Sequence, residues 1–216
     1  MAGSGPVTTS FSQRPTAKGR IAFRPTVLVG PSGVGKSTVL RRLAETYPEV
    51  WLSVSATTRP PRSGERPGVD YFFVSDAEFD QLIASGGLIE WATVHQVARY
   101  GTPRASVEQK MAEGRAVVME IDLQGCRQIR QRLAGVQTVF LAPPSWDEMT
   151  QRLRGRETES DESIERRLTT AHQEMAAQAE FDRVIVNSQV ASSVAELVNF
   201  IGLDPEDQTE KSQHEG

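Results

Sequence analysis

The chain has 216 residues, 38% hydrophobic and 24% charged, with a formal net charge of −4; that length suits one domain, or one domain carrying a small inserted subdomain, with a sizeable core. The negative balance argues against bulk nucleic-acid binding, and the single cysteine, Cys126, excludes an internal disulfide and fits a reducing compartment. No apolar run is long enough to cross a membrane, no apolar leader opens the chain, and His95, His172 and His214 are too scattered for a metal site, so the expected address is cytoplasmic.

Residues 1–24 are rich in Gly, Ser, Thr and Pro, with basic residues and no acid, and are expected to form a flexible arm. Val27–Val29 then reads as a short apolar strand, and Lys36–Tyr47 as a helix stopped by Pro48. Between them, Gly30, Gly35, Lys36 and Ser37 fit the phosphate-loop pattern G-x-x-x-x-G-K-[ST]. Each part has a physical role. The glycines let the backbone fold closely around an anion, and successive amides and the helix N-terminus present positive charge to it. Lys36 is a mobile point charge for the outer phosphates, and the Ser37 hydroxyl is a ligand for Mg²⁺.

Further along, Trp51–Ser55 reads as a strand and Thr57–Asp70 as a stretch rich in Pro, Gly and Arg. Ser75 caps a short helix, with Glu78 in capping-box position. Leu88–Val94 is an expected strand, Ser106–Glu113 a helix, Ala116–Ile121 a strand ending in Asp122, and Leu123–Leu133 a helix. Val136–Leu141 is a strand broken by Pro143-Pro144, and Ser145 with Glu148 opens another helix. A long helix near Glu162–Glu180, a strand Val184–Val186 and a helix Ser193–Ile201 complete the pattern, and an acidic tail covers 204–216. Almost wholly apolar strands alternating with helices predict an α/β fold, a parallel sheet flanked by helices. Residues 56–104 interrupt that alternation and are expected to form an inserted lobe, with the core at 25–55 and 105–203.

The lobe places Arg59 and Arg62 with several hydroxyls on a proline-stiffened loop, followed by Tyr71. Arginine forks bind phosphate bidentately and a phenol adds a neutral donor. Composition alone leaves a second phosphate pocket and a solvated basic loop both open. A third group, Arg152, Arg154, Arg156, Arg166 and Arg167, flanks a polar turn at Gly155. It fits either a charged helix pair or a lid, at about 150–165, that brings cations to a transferring phosphoryl group.

Taken together, Gly30–Thr38, Ser53–Glu65, Gly68 with Asp70-Tyr71-Phe72, Leu88–Ala92, Tyr100–Thr102, Glu120–Gly125, Arg156, Ser163–Leu168 and Val184–Asn187 resemble the guanylate kinases over roughly residues 25–202. The resemblance implies a P-loop fold with a GMP-binding lobe and a helical lid, and transfer of the γ-phosphoryl of ATP to GMP, giving ADP and GDP, with Mg²⁺. It implies ATP phosphates on Gly30, Pro31, Ser32, Gly33, Val34, Gly35, Lys36, Ser37 and Thr38, and the GMP phosphate on Arg59, Arg62, Tyr71 and Tyr100. Ser55, Thr102 and Glu90 would meet the guanine edge, with Glu120 and Asp122 on the GMP side and Mg²⁺ held by Ser37 and Asp122, the acid acting directly or through water. Arg152, Arg156 and Arg167 would be the lid cations, and Asn187 is either an adenine contact or a turn residue. No general base is expected, because the attacking phosphate oxygen is already anionic. Two alternatives remain from the sequence: a non-catalytic phosphopeptide-binding scaffold, and a phosphate-loop kinase of another acceptor. The sequence gives no oligomeric state, and no partner beyond the two nucleotides is implied.

Overall fold

A computed structural model describes residues 23–94, 98–154 and 161–203. In chain order its elements are β1 (Thr26–Val29), α1 (Lys36–Thr46), β2 (Val50–Leu52), β3 (Ala56–Thr57), β4 (Phe72–Phe73), α2 (Asp76–Ala84), β5 (Leu88–Val94), β6 (Ala98–Pro103) and α3 (Arg104–Ala112). They continue with β7 (Ala116–Glu120), α4 (Leu123–Arg132), β8 (Gln137–Ala142), α5 (Trp146–Arg154), α6 (Asp161–Ala176), a 3₁₀ turn at Gln178–Glu180, β9 (Arg183–Val186) and α7 (Val190–Ile201). The arm and the acidic tail expected at 1–24 and 204–216 lie outside the described residues, apart from Phe23 and Arg24.

Five strands form a sheet in the order β2-β7-β1-β8-β9, every neighbouring pair parallel. Along β1 the side chains alternate between two buried faces. Leu28 joins Leu43, Leu141, Ile185 and Leu197 under α1 and α7. Val27 and Val29 join Met119, Ile129 and Phe140 under α4. Both faces are covered, which is why these strands carry no polar alternation. The chain leaves β1 toward β2 on one side and later returns through β8 on the other. A crevice therefore opens at the carboxyl ends of β1 and β7, where ligands bind in such sheets.

The second sheet has the order β4-β3-β6-β5, with β5 and β6 antiparallel. Its apolar side packs Ala56 and Leu88 against Phe79 of α2, a helix whose capping box between Ser75 and Glu78 forms as the sequence predicts. The strands β3, β4 and β6 had no counterpart among the sequence expectations. The long helix expected near Glu162–Glu180 ends at Ala176, and a 3₁₀ turn completes it.

One irregularity positions the site. The β5–β6 register shifts between Leu88 and Trp91. An extra residue in one strand of an antiparallel pair re-aims the side chains around it. Here Ile89 goes into the main core, while Glu90 turns to the crevice.

Candidate functional site

The crevice is a cleft of about 860 Å³, and both sheets contribute to it. Gly30, Ser32 and Lys36 line one wall, Ser55, Tyr71, Glu90 and Tyr100 the other, with Glu120 and Asp122 on the floor and Arg167 and Glu174 reaching in from α6.

The phosphate loop is shaped by contacts that leave little room for other residues. A Cβ on Gly30 would run into the Leu141 carbonyl of β8. Gly35 has φ +100°, in the region that suits glycine, and its Cβ would stand 2.7 Å from Asn187 Nδ2. Val34 is fully buried and plugs the loop into the core beneath it, so its side chain anchors the loop and only its backbone is available to a phosphate. Pro31 is buried, Ser32 and Gly33 are half-buried, and Ser37 and Thr38 are exposed at the start of α1. Gly35 caps α1 without a side-chain hydrogen bond, which suits a helix end whose amides serve an anion. Lys36 Nζ donates to the carbonyls of Gly30 at 2.6 Å and Pro31 at 3.4 Å.

Asn187 takes a different place from the adenine contact suggested for it. It is buried, its Nδ2 donates to the Val34 carbonyl at 2.7 Å, and its Oδ1 accepts from Ser193 Oγ at 2.9 Å. Both ends of the amide are engaged within the protein, so Asn187 braces the phosphate loop from below. Asn187→Ala leaves two buried polar groups unpaired, at a cost of about 2–3 kcal/mol. The expected result is a lower melting temperature and a raised KM for ATP, read by calorimetry and steady-state kinetics.

The two acids behind β7 divide their work. Ser37 Oγ donates to Glu120 Oε2 at 3.4 Å, whereas Asp122 caps α4 by accepting from the Gly125 amide at 2.6 Å. The acid within reach of the Ser37 hydroxyl is Glu120, while Asp122, expected from the sequence as a metal acid, lies two residues past the strand and caps the helix. A hydroxyl and carboxylates are hard oxygen donors of the kind Mg²⁺ takes. Among the described residues no group of three or more His, Cys, Asp or Glu lies together.

On the opposite wall, Arg59 is held on three sides. It makes a two-pronged ion pair with Glu65 at 2.6 and 2.7 Å, its Nε donates to Tyr100 Oη at 3.1 Å, and its guanidinium stacks over Tyr71 at 4.8 Å. The Arg59 guanidinium holds the Glu65 carboxyl down to about 2. Arg62 is exposed, and its backbone amide donates to the same Glu65 at 2.7 Å. Burial, with Glu120 nearby, pushes the Tyr71 phenol up, so it remains a donor.

Glu90 is 4% exposed, and its Oε1 accepts from the fully buried Thr102 Oγ1 at 2.6 Å. Burial, reinforced by Asp122, pushes its carboxyl up to about 7. Ser55 lies on the same wall, beside Ser53; the buried Ser53 Oγ has no hydrogen-bond partner among the described residues.

Of the lid arginines, Arg167 on α6 donates to Ser32 Oγ of the phosphate loop at 2.7 Å. Arg152 belongs to α5, with its side chain outside the described residues, and Arg156 lies outside them altogether. The helices α5 and α6 pack through Met149, Ala171, Trp146 and Leu168. Sequence reasoning missed Glu174, whose carboxyl is pushed up to about 7 by burial despite Lys36 nearby. Its spacing of four residues from Thr170 and seven from Arg167 puts it on the cleft face of α6, a signal present in the sequence. Glu65 was also missed as a clamp.

A protein-family model described as guanylate kinase matches residues 22–203. A guanylate kinase of Streptomyces coelicolor is 57% identical over 175 residues, 81% of this chain and 88% of that protein. A guanylate kinase of a Synechococcus species is 55% identical over 180 residues, 83% of this chain and 94% of that one. A crystal structure of guanylate kinase from Anaplasma phagocytophilum superimposes with a TM-score of 0.70 at 31% identity, covering 88% of this chain and 89% of that one.

Proposed function

This chain belongs to the guanylate kinase family, and from that premise we propose how its cleft carries out the transfer. The protein is a nucleoside monophosphate kinase that moves the γ-phosphoryl group of ATP to GMP, giving ADP and GDP. The single observation behind our assignment of roles is that one cleft has a phosphate loop on one wall and, on the other, a buried acid paired with a buried hydroxyl.

In this reading the ATP phosphates lie on Gly30–Thr38, and Lys36 swings from the Gly30 carbonyl to the phosphate being moved. Ser37 and Glu120, with Asp122 on the same floor, would hold Mg²⁺, which would supply charge neutralisation to the phosphates. Arg167 holds Ser32 beside the transferring group, with Arg152 and Arg156 of the lid joining it. Arg59, Arg62, Tyr71 and Tyr100 grip the GMP phosphate. Arg59 is pre-aimed by Glu65 and the two tyrosine rings, which reduces the entropy lost on binding. Glu90 accepts from guanine N1–H and the 2-amino group, and Ser55 with Thr102 completes that edge. Adenine has neither donor, so the buried acid would be left unpaired against it.

Phosphoryl transfer spreads negative charge over equatorial oxygens, so alignment and cations account for the catalysis. The lobe at 56–104 and the lid at about 150–165 close over the pair and exclude water. The free, buried Cys126 fits a reducing compartment and so supports a cytoplasmic address.

A coupled assay of ADP formation with GMP, AMP, dTMP or no acceptor tests this. Turnover is expected with GMP, with AMP at least about a hundredfold poorer in kcat/KM. Equal use of AMP would remove the role given to Glu90, and no turnover with any acceptor would point to a scaffold.

A further inference from the structure

The buried acid on the guanine side is held in place by a helix that has no side chain where the acid rests. Gly125 lies in the first turn of α4, in ordinary helical backbone, and nothing in its conformation calls for glycine. For the helix alone alanine would be the better residue. A Cβ there would overlap Glu90 Oε2, with Glu90 Cδ at 3.0 Å and Asp122 Oδ1 at 3.2 Å as the next nearest atoms. Two of the three atoms are the Glu90 carboxylate, and the third is the Asp122 oxygen that caps the helix.

Glu90 has little freedom to retreat. On its far side Oε1 is tied to Thr102. Its neighbour Trp91 is bonded through both backbone groups to Gln128 of the same helix, with Nε2 donating to the Trp91 carbonyl at 2.7 Å and Oε1 accepting from its amide at 3.4 Å. Arg132, one turn on, donates to the Ile89 carbonyl at 3.2 Å. Thus α4 grips the backbone on either side of Glu90 and leaves a gap at Gly125 in which its carboxylate lies.

We propose that Gly125 is a specificity-positioning residue: by presenting no side chain, it sets where the Glu90 carboxylate stands and so how well the enzyme tells guanine from a purine lacking the 2-amino group. This rests on the reading of Glu90 as the guanine acceptor. Adding a methyl group turns the carboxylate against its tether to Thr102, which strains one buried hydrogen bond but leaves the helix backbone in place. The cost falls on the two hydrogen bonds to guanine, whose geometry depends on both carboxylate oxygens.

The test uses the full chain, with GMP and inosine monophosphate as acceptors at pH 8 and thermal melts alongside. Gly125→Ala is expected to raise KM for GMP about tenfold or more, the value of one misplaced charge-assisted hydrogen bond. The preference for GMP over inosine monophosphate should fall by a similar factor, with kcat within a few-fold and the melting temperature lowered by only a few degrees, the effect of one strained buried hydrogen bond. In Glu90→Asp, whose shorter acid stands clear of the added methyl, the same glycine change should cost no further preference.

An unchanged KM and preference in Gly125→Ala overturns the proposal. Glu90→Gln separates this from the premise. If that change leaves the preference intact, the Glu90 reading fails; if it removes the preference while Gly125→Ala does not, only the role of Gly125 fails. If Gly125→Ala does not fold but Glu90→Asp/Gly125→Ala does, the overlap with the carboxylate is upheld. If neither folds, the glycine serves the helix and the proposal falls.

Discussion

Lys36→Ala is expected to lower kcat for GMP phosphorylation by about three orders of magnitude, with KM for GMP changed no more than a few-fold. Removing one preorganised donor from a developing charge costs about 10²–10³ in kcat, and a full ammonium in a water-excluded cleft belongs at the upper end of that range. The change should not collapse the loop. Its shape comes from the buried Val34, from the positive φ of Gly35 and from the Asn187 brace. The Lys36 ammonium sits against the Gly30 and Pro31 carbonyls, which water can satisfy once it is gone. Lys36→Arg is not expected to restore activity, since a planar fork does not occupy the space of a compact ammonium. Initial rates from coupled ADP detection, with calorimetric titration of GMP, separate the two parameters. A kcat within tenfold of the parent would mean that Lys36 stays on the loop carbonyls during the reaction.

The phosphate loop and central sheet were readable because their signals are local: spaced glycines, a lysine, and apolar strands buried on both faces. The strands β3, β4 and β6 gave no such signal. Ala56 pairs with Phe72 and with Gly101, residues far away in sequence; the two-residue β3 and β4 carry no periodicity to detect, and the six residues of β6 do not alternate apolar with polar. The same distinction runs through the site. The guanine-side residues were proposed from the resemblance, since Glu90 alone in a sequence looks like any strand acid. Its burial depends on a bulge, on Thr102 and on α4, three contacts that form only on folding. Asn187 shows the opposite case. A polar residue after a strand suggested a ligand contact, yet its amide is engaged between Val34 and Ser193. Likewise Glu120 and Asp122, two residues apart at the end of an apolar run, look interchangeable in sequence. Only the turn into α4 decides that Asp122 caps the helix while Glu120 stays beside Ser37.

Glu90→Gln is expected to lower kcat/KM for GMP by about a hundredfold or more, because an amide turns one of two acceptors for guanine into a donor facing a donor. The parent enzyme should carry a proton signature that the variant lacks. Burial raises the Glu90 carboxyl from 4.5 to about 7, while two guanine N–H donors favour the charged form and pull it back down in the complex. GMP therefore binds the deprotonated acid. As pH falls from 8 toward 6, KM for GMP should rise, approaching tenfold per unit once below about 7. Glu90→Gln should be flat across that window, apart from titration of the GMP phosphate itself near its lower end. Stability runs the other way. A carboxyl with a raised pKa binds its proton more tightly in the folded state, so between about 4.5 and 7 the native state holds more protons than the unfolded one. The contribution of Glu90 to stability is thus greatest at low pH and is lost as pH rises through about 7, leaving a charged-state cost of order 3 kcal/mol above it. The glutamine variant escapes that cost. At pH 8 it should melt at the same temperature as the parent or higher, while phosphorylating GMP poorly. A clear loss of stability at pH 8 would mean that the Glu90 charge is compensated within the protein, rather than held ready for guanine.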